Sequence, residues 1–245
     1  MTKLFNTVVV ALGILVCAAL PVDRYQQVRF KWDLQKIEKY KQAVGLIEVV
    51  FKDGNVFGGA GVVIGTDGTT LTAAHLFNHG QIETIIMSVP NGNVYEMDGL
   101  AINTRNDLAL IRPKAAAPGF KYIRVHKGQK IDPNQEVAVI GHPLWLVNHV
   151  EYGVVLGTQF DIFYMGEIVK ISALVRPGNS GGPVLSTKGE VVGIVSARAV
   201  HPLTWEYSHG IAISLKEIHE FMKMAQTMEP YWPKQIKRHR LAEFK

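Results

Sequence analysis

A long series of short β-rich runs between residues 44 and 214 is the feature that most constrains the fold of this chain. The runs are rich in Val, Ile and Leu, and Asp-Gly, Asn-Gly and Lys-Gly turn signals separate several of them. Such a series, with almost no helical periodicity between its members, predicts an all-β barrel or sandwich. The candidate strands are Val44–Phe51, Ala60–Gly65, Thr69–Ala73, Ile82–Ser88, Val94–Ile102, Leu108–Arg112, Tyr122–Val125, Glu136–Ile140, Val150–Thr158, Glu167–Leu174, Gly182–Leu185, Val191–Ala197 and Gly210–Ser214.

A stretch without strand patterning at residues 115–135 divides the series into two similar sets. We therefore expect two six-stranded antiparallel β-barrels, at about 44–118 and 130–214. Apolar residues then recur at helical spacing, which predicts a C-terminal helix over 215–228. The whole folded domain is thus expected to span residues 44–228, and looser helical spacing predicts a linker helix over 23–43.

The N-terminal residues 1–22 are predominantly apolar. The run from Val8 to Leu20 suits the core of a signal peptide, and the longer stretch from Leu4 to Val22 is long enough for a signal anchor. Both interpretations stay open, and they predict a protein that is exported to the periplasm or the extracellular space, or is tethered to a membrane. The single cysteine, Cys17, lies in this segment, so no intrachain disulfide can form.

The net charge of +5 is concentrated in a basic tail at residues 229–245. Positions 234–245 hold five basic residues and one acidic residue, so they carry +4 and leave +1 for the rest. We interpret the tail as a solvated segment and expect no nucleic-acid partner. The composition, 47% hydrophobic and 19% charged, is that of a globular chain.

A serine within a glycine-rich turn is the main functional signal. It lies in the run Pro177-Gly178-Asn179-Ser180-Gly181-Gly182. Glycines permit a sharp bend and a close approach of substrate backbone. Such a bend can aim the backbone N–H groups of Gly178 and Ser180 at one point, where they would stabilise a developing oxyanion.

A serine hydroxyl needs a base, and the base needs a carboxylate to orient it. Among nine histidines, His75 follows a predicted strand and has small neighbours. Asp107 lies at the start of the apolar run Leu108–Arg112, where it would be partly buried. Each residue alone also fits a structural role, but the order His, Asp, Ser across three suitable segments points to nucleophilic catalysis.

At these motifs the sequence resembles the chymotrypsin-fold, trypsin-like serine proteases, and most of all their HtrA/Deg branch. The similarity extends from about Val44 to Met222. It is carried by the segments Gly58–Ile64, Thr72–His75, Asn106–Leu110, Val139–Pro143, Gly178–Gly182 and Gly193–Ser196.

The resemblance implies a serine endopeptidase that acts on polypeptides through an acyl-enzyme on Ser180. His75 would be the general base, Asp107 would orient it, and Gly178 and Ser180 would form the oxyanion hole. Leu174, Ser196, Ala197 and Arg198 would bind substrate. Because none of these pocket positions is acidic, we expect small or medium apolar side chains before the scissile bond.

The sequence also departs from familiar relatives. Asn179 replaces the aspartate that pairs with a new N-terminus in digestive-type proteases, so activation by zymogen cleavage is not expected. HtrA proteins usually carry a PDZ domain after the protease domain, and we expect none here. The resemblance further suggests a homo-trimer, with residues 23–42 available for such contacts.

Two alternatives compete with the protease. The Gly-x-Ser-x-Gly spacing of Gly178, Ser180 and Gly182 also fits the nucleophile elbow of α/β-hydrolases, but that fold needs the order Ser, acid, His and alternating helices. A catalytically silent protease-fold scaffold is the other alternative, and the intact set of His75, Asp107 and Ser180 disfavours it. No cofactor motif and no close-spaced metal ligands are present, so we expect neither a cofactor nor a metal.

Overall fold

Two antiparallel barrels form the body of the protein. The computed structural model describes residues 32–201 and 203–227, apart from the side chain of Trp145. The predicted leader 1–22, Cys17 and the basic tail 229–245 lie outside the described residues. Neither helix in the described part is long and apolar enough to cross a membrane.

The first barrel contains strands β1 to β6, which close in the order β1-β2-β3-β6-β5-β4. Alternation of buried and less buried residues along β1, with Val44, Ile47, Val49 and Phe51 inside, shows how the apolar pattern fills the interior. A short 3₁₀ helix, Ala74–Phe77, follows β3. The strands are β1 Val44–Phe51, β2 Val56–Val63, β3 Thr70–Thr72, β4 Ile82–Ser88, β5 Val94–Asn103 and β6 Leu108–Pro113.

The second barrel contains β7 to β12 and closes in the order β10-β11-β12-β9-β8-β7. A second short 3₁₀ helix, Pro143–Trp145, lies in the loop between β7 and β8. The strands are β7 Glu136–Gly141, β8 His149–Asp161, β9 Gly166–Ile171, β10 Pro183–Ser186, β11 Val191–Val200 and β12 Tyr207–Ser214. The expected all-β fold of two six-stranded barrels with a C-terminal helix is confirmed.

Two α-helices flank the barrels. Helix α1, Leu34–Lys41, begins at Asp33, whose side chain accepts hydrogen bonds from the N–H groups of Gln35 and Lys36. Helix α2, Leu215–Thr227, follows β12 directly. Its buried face joins residues of both barrels in one apolar cluster that holds the two barrels together.

One predicted strand is wrong. Residues Tyr122–Val125 are an extended connector between the barrels, and only Val125 makes an isolated bridge, to Val191. Ile123 N–H donates to the Val63 carbonyl at 2.9 Å, and the Arg124 carbonyl accepts from Val191 N–H at 2.9 Å. The backbone of this segment is extended and hydrogen-bonded on both sides, as in a strand. Its partners belong to two different sheets, so it is a strand of neither barrel.

Candidate active site

His75 and Asp107 meet on the first barrel. His75 lies in the 3₁₀ helix after β3, and Asp107 ends the turn between β5 and β6. The Nδ1 atom of His75 is 2.9 Å from Oδ2 of Asp107, and the backbone N–H of His75 donates to Oδ1 at 2.8 Å. Because an ionised carboxylate only accepts, the ring proton belongs on Nδ1, which leaves Nε2 as a free basic nitrogen.

Asp107 is buried and has a strained backbone. It is 7% exposed and adopts φ +55°, a left-handed conformation that is uncommon outside glycine. Its Oδ2 atom accepts a second, short hydrogen bond from the hydroxyl of Ser196. The carboxylate is thereby held from two sides, one in each barrel, while the His75 side chain stays 42% exposed to solvent.

Ser180 lies in the turn that precedes β10. Its carbonyl accepts from the N–H of Ala60 in β2 at 2.8 Å, which ties the turn to the first barrel. A Cβ on the next residue, Gly181, would stand 2.2 Å from the Ala60 carbonyl, and this residue has φ +82°. Glycine at 181 is therefore required for the barrels to approach each other at the serine.

Ser196 connects Ser180 to the pair formed by His75 and Asp107. Its hydroxyl binds Asp107, while its carbonyl accepts from Ser180 Oγ at a long 3.4 Å. Ser196 lies in β11 where the register with β12 shifts between Val195 and Ala197. This bulge turns the Ser196 side chain toward the other barrel. Among the described residues Ser180 Oγ makes no hydrogen bond to His75.

The backbone of the serine turn leaves two N–H groups without an acceptor. Asn179, Gly181 and Gly182 donate to the carbonyls of Arg176, Val195 and Asn179. For the backbone N–H groups of Gly178 and Ser180, the described part of the chain provides no carbonyl acceptor.

The peptide bond before Gly178 has a defined direction. The carbonyl of Pro177 accepts from Leu144 N–H at 3.1 Å. Because the two ends of a trans peptide point in opposite directions, the N–H of Gly178 faces away from Leu144. Gly178 has φ +96°, and a Cβ added there would stand 2.2 Å from the His142 carbonyl, so this position also requires glycine.

Asn179, the residue before the serine, is 1% exposed. Its Oδ1 atom is buried and has no hydrogen-bond partner in the part that the structure describes. A neutral amide tolerates this site, whereas a carboxylate would be a buried charge without a counter-ion.

The predicted substrate-binding residues lie along β11 and in the segment before the serine turn. In the register of β11 with β12, Arg198 faces Gly210 and Ala197 faces Ile211. Segment 173–175, which contains the half-buried Leu174, packs against Gly210, because a Cβ there would meet Val175 and the Ala173 carbonyl. The structure thus brings Arg198 and the segment that contains Leu174 next to Gly210.

Tyr207 and Tyr164 belong to the site but were not predicted. The hydroxyl of Tyr207 donates to the Ala173 carbonyl and accepts from Val175 N–H at 3.3 Å, so it clamps the segment around Leu174. Burial raises the pKa of the Tyr207 hydroxyl, with a further contribution from the Glu151 carboxylate, so it stays protonated. No motif or spacing marks either tyrosine, since each reaches the site from a hairpin that is remote in sequence.

No metal centre emerges in the described residues, where no three His, Cys, Asp or Glu side chains are grouped to hold an ion. The nine histidines of the chain are therefore not explained by a metal cluster in this region. The arrangement that does occur is an imidazole and a carboxylate on the first barrel and a serine hydroxyl on the second.

Comparison with known proteins identifies the class. The family model described as a trypsin-like peptidase domain matches residues 59–194, more than half of the chain. The chain belongs to this family.

Curated relatives place it beside proteases of the HtrA/Deg type. A putative serine protease HhoB of Synechocystis sp. is 30% identical over 145 residues, 57% of this chain and 34% of that protein. A probable periplasmic serine endoprotease DegP-like of Brucella suis is 30% identical over 141 residues, 57% of this chain and 27% of that protein. The chain thus spans between a quarter and about a third of the length of these relatives.

Solved structures show the same fold. The HtrA-type protease AlgW with tripeptide superimposes with a TM-score of 0.69 at 20% identity, over 78% of this chain and 62% of that one. The predicted resemblance to the HtrA branch of the trypsin-like proteases is confirmed by these similarities.

Proposed function

We propose that the protein is a serine endopeptidase that cleaves polypeptides through an acyl-enzyme on Ser180. The observation that carries the proposal is the double role of Ser196, which binds Asp107 with its side chain and Ser180 with its carbonyl. This single residue joins the oriented base of one barrel to the hydroxyl of the other. The names of the relatives, a putative serine protease and a probable serine endoprotease, support the same activity.

In the proposed reaction Ser180 Oγ turns from the Ser196 carbonyl toward Nε2 of His75 and attacks the peptide carbonyl. His75 accepts the hydroxyl proton, and Asp107 stabilises the imidazolium that forms. The long 3.4 Å contact to Ser196 is weak enough to be exchanged for this bond. Catalytic hydrogen bonds commonly tighten only when substrate binds.

The free N–H groups of Gly178 and Ser180 would bind the oxyanion of the tetrahedral intermediate. When the intermediate collapses, the C–N bond breaks and His75 gives its proton to the leaving amine. Water, deprotonated by the same histidine, then attacks the ester on Ser180. The bond between the acyl carbon and Oγ breaks, the carboxylic product leaves, and His75 returns the proton to Ser180 Oγ.

The substrate backbone would pair with β11 at Ser196, Ala197 and Arg198. Strand β10 pairs with β11 only as far as Ile194, so beyond this point that edge of β11 has no strand partner in the described residues. An extended peptide can add to such an edge as a further strand.

Small or medium apolar side chains are proposed for the position before the scissile bond. Leu174 and Ala197 are apolar, and the positive charges of Arg176 and Arg198 both act on the neighbouring Tyr207. The Glu151 carboxylate in this region is already paired with Arg176 and His149. A peptide-library cleavage profile should show apolar residues, and a profile dominated by Lys or Arg would contradict the pocket.

For the location, we propose export to the periplasm or the extracellular space, or tethering through residues 1–22. For the assembly, we propose a homo-trimer. The relative from Brucella suis is named periplasmic, and the leader is strongly apolar. Membrane fractionation, the mass of the mature N-terminus and the mass of the particle in solution test these three points separately.

Labelling with a fluorophosphonate probe tests the activity. Wild type should be labelled, and Ser180→Ala should not be. Peptidase turnover should fall by about 10⁴- to 10⁶-fold in this variant, as for other triad enzymes. Ser88→Ala, a half-buried serine in β4, is the matched control and should label like wild type. Equal labelling of wild type and Ser180→Ala, or none of either, would favour a silent scaffold.

A further inference from the structure

A chain of hydroxyl groups reaches Asp107 from the turn between β8 and β9. The phenol oxygen of Tyr164 lies 3.0 Å from Ser196 Oγ, and Ser196 Oγ in turn binds Oδ2 of Asp107. Ser196 has a single hydroxyl proton, and a carboxylate only accepts, so this proton goes to Asp107. The bond between Tyr164 and Ser196 must therefore be donated by Tyr164.

The hydroxyl of Tyr164 is well suited to remain a donor. Burial raises its pKa, and the negative charges of Asp107 and Asp161 add to this effect. The phenol is therefore protonated across the pH range in which a histidine base titrates.

The same residue is also fixed through its backbone. The Tyr164 carbonyl accepts from Nδ2 of Asn106 at 3.2 Å, and Asn106 precedes Asp107 in the strained turn. Asn106 Nδ2 additionally lies 3.0 Å from Oε2 of the buried Glu217 in α2. The other oxygen of Glu217 accepts from Glu167 N–H, in β9, at 2.9 Å. Tyr164 is thus linked to the Asp107 turn twice, through Ser196 by its side chain and directly through Asn106 by its backbone carbonyl.

We propose that Tyr164 is a positioning residue of the active site, which acts through Ser196 to hold and polarise the Asp107 carboxylate. This inference rests on the proposed function of the His75, Asp107 and Ser180 set. Donation from Tyr164 polarises the Ser196 hydroxyl and strengthens its bond to Asp107, since hydrogen bonds in a chain reinforce one another. A carboxylate that accepts a stronger hydrogen bond from Ser196 attracts the His75 proton less strongly.

The titratable groups that the structure places around the hydroxyls of Tyr164 and Ser196 come from three directions. His75 faces Asp107 from the 3₁₀ helix after β3. Asp161 lies in the same hairpin as Tyr164 and acts on it electrostatically. From α2, Glu217 contacts Asn106, with the Lys216 ammonium 4.0 Å from its Oε1. Since Tyr164→Phe leaves all of these charges in place, a change in the pH profile reports the lost hydroxyl.

The experiment is the rate of fluorophosphonate labelling as a function of pH in the full chain. Tyr164→Phe should label about two- to tenfold more slowly at pH 7, the factor expected when one ordinary hydrogen bond is lost. Its acidic limb, where His75 loses a proton, should move to higher pH because Asp107 attracts that proton more strongly. Tyr95→Phe, which removes a hydroxyl that accepts from Asn93 in an exposed hairpin, is the matched control and should leave rate and profile unchanged.

A double-mutant cycle separates this role from a merely structural one. If Tyr164 acts through Ser196, Tyr164→Phe should have no further effect in a Ser196→Ala background. The same fractional loss in both backgrounds, or a wild-type rate and acidic limb in Tyr164→Phe, would overturn the inference while leaving the protease intact. An unlabelled wild type would overturn the proposed function and this inference together.

A second variant covers the case in which Tyr164→Phe does not fold. Incorporation of 3-fluorotyrosine at position 164 keeps the hydroxyl and makes it a stronger donor. The acidic limb of the pH profile should then move to lower pH. An unchanged or upward-shifted limb would contradict the proposed direction of donation, from Tyr164 to Ser196 to Asp107.

Discussion

His142 is a buried residue that packs against the serine turn. The ring is 2% exposed, and its Nδ1 atom accepts from Asn148 N–H at 3.2 Å. The backbone N–H of His142 donates to the Gly178 carbonyl, so the residue contacts the proposed oxyanion hole directly. Its Nε2 atom is buried without a hydrogen-bond partner in the described part of the protein.

Burial lowers the pKa of His142 to about 4. The backbone of Gly45 opposes this shift weakly, although it forms no well-aligned hydrogen bond with Nε2. The folded protein thus holds His142 neutral, whereas the unfolded chain protonates it below its ordinary value near 6.5. Between these two values the unfolded state binds more protons, so the free energy of unfolding rises with pH over that window and is lost as pH falls.

We predict that lowering the pH from 7 to 4 removes about 3 kcal/mol of stability through His142, at about 1.4 kcal/mol per pKa unit. In His142→Asn, which offers an amide oxygen to Asn148 N–H but does not titrate, this loss should be absent. Denaturant unfolding at both pH values measures it. His201→Asn is the control, because His201 also accepts backbone N–H groups at Nδ1 but is exposed. An equal acid loss in wild type and His142→Asn would contradict the assignment.

At the scale of elements, the hairpin of β8 and β9 brings Tyr164 to the site although no sequence motif marks its turn. Its turn is organised by Asp161, whose Oδ1 accepts from Phe163 N–H at 2.8 Å and Tyr164 N–H at 3.3 Å. The neighbours of Tyr164 in the turn, Phe163 and Met165, are 87% and 54% exposed. The turn therefore points Tyr164 inward while the residues beside it face solvent.

Removing the Asp161 side chain should loosen this turn without unfolding the barrel. In Asp161→Ala the amide protons of Phe163 and Tyr164 should exchange about fivefold faster, the factor expected for about 1 kcal/mol of lost hydrogen bonding. Asp161→Asn keeps an oxygen acceptor and should retain protection. Native-state hydrogen exchange measures both variants. Equal protection in Asp161→Ala and wild type would show that the turn does not depend on this side chain.

At the scale of the whole molecule, the proposed activity requires that the two barrels keep a fixed relative position. His75 and Asp107 belong to the first barrel, and Ser180 and Ser196 belong to the second. The cluster that joins the barrels takes Val62 and Leu108 from the first, Ile140 and Ile213 from the second, and Phe221 from α2. The apolar contacts of α2 therefore support the site although no residue of the helix enters the proposed chemistry.

Phe221→Ala should lower the free energy of unfolding by about 3–5 kcal/mol, since it leaves a cavity in this shared cluster. Fluorophosphonate labelling should be lost at a lower denaturant concentration than in wild type, together with the near-UV circular dichroism. Phe163→Ala removes an aromatic ring that is 87% exposed and should change stability by no more than about 0.5 kcal/mol. A wild-type midpoint for Phe221→Ala would show that α2 does not hold the barrels together.

The succession of twelve strands along the chain, the two-barrel division and the C-terminal helix could be predicted from sequence, because each depends on local apolar periodicity and turn residues. The segments of His75, Asp107 and Ser180 also stood out, since each lies beside an apolar run within a recognisable motif. By contrast, the sequence predicts the connector Tyr122–Val125 as a strand. Local composition indicates that a backbone is extended, but it does not indicate which sheet the segment pairs with.

Tertiary structure alone decided the contacts that join distant residues. Ser196 binds Asp107 across 89 positions of sequence, and Tyr164 reaches Ser196 across 32. No local pattern marks such pairs, because they depend on the closure of both barrels and on the bulge in β11. The sequence by itself determined which side chains can carry the proposed chemistry. The fold determined which of them meet, because a hydrogen bond requires two groups within about 3 Å and only the packing of the two barrels brings them to that distance.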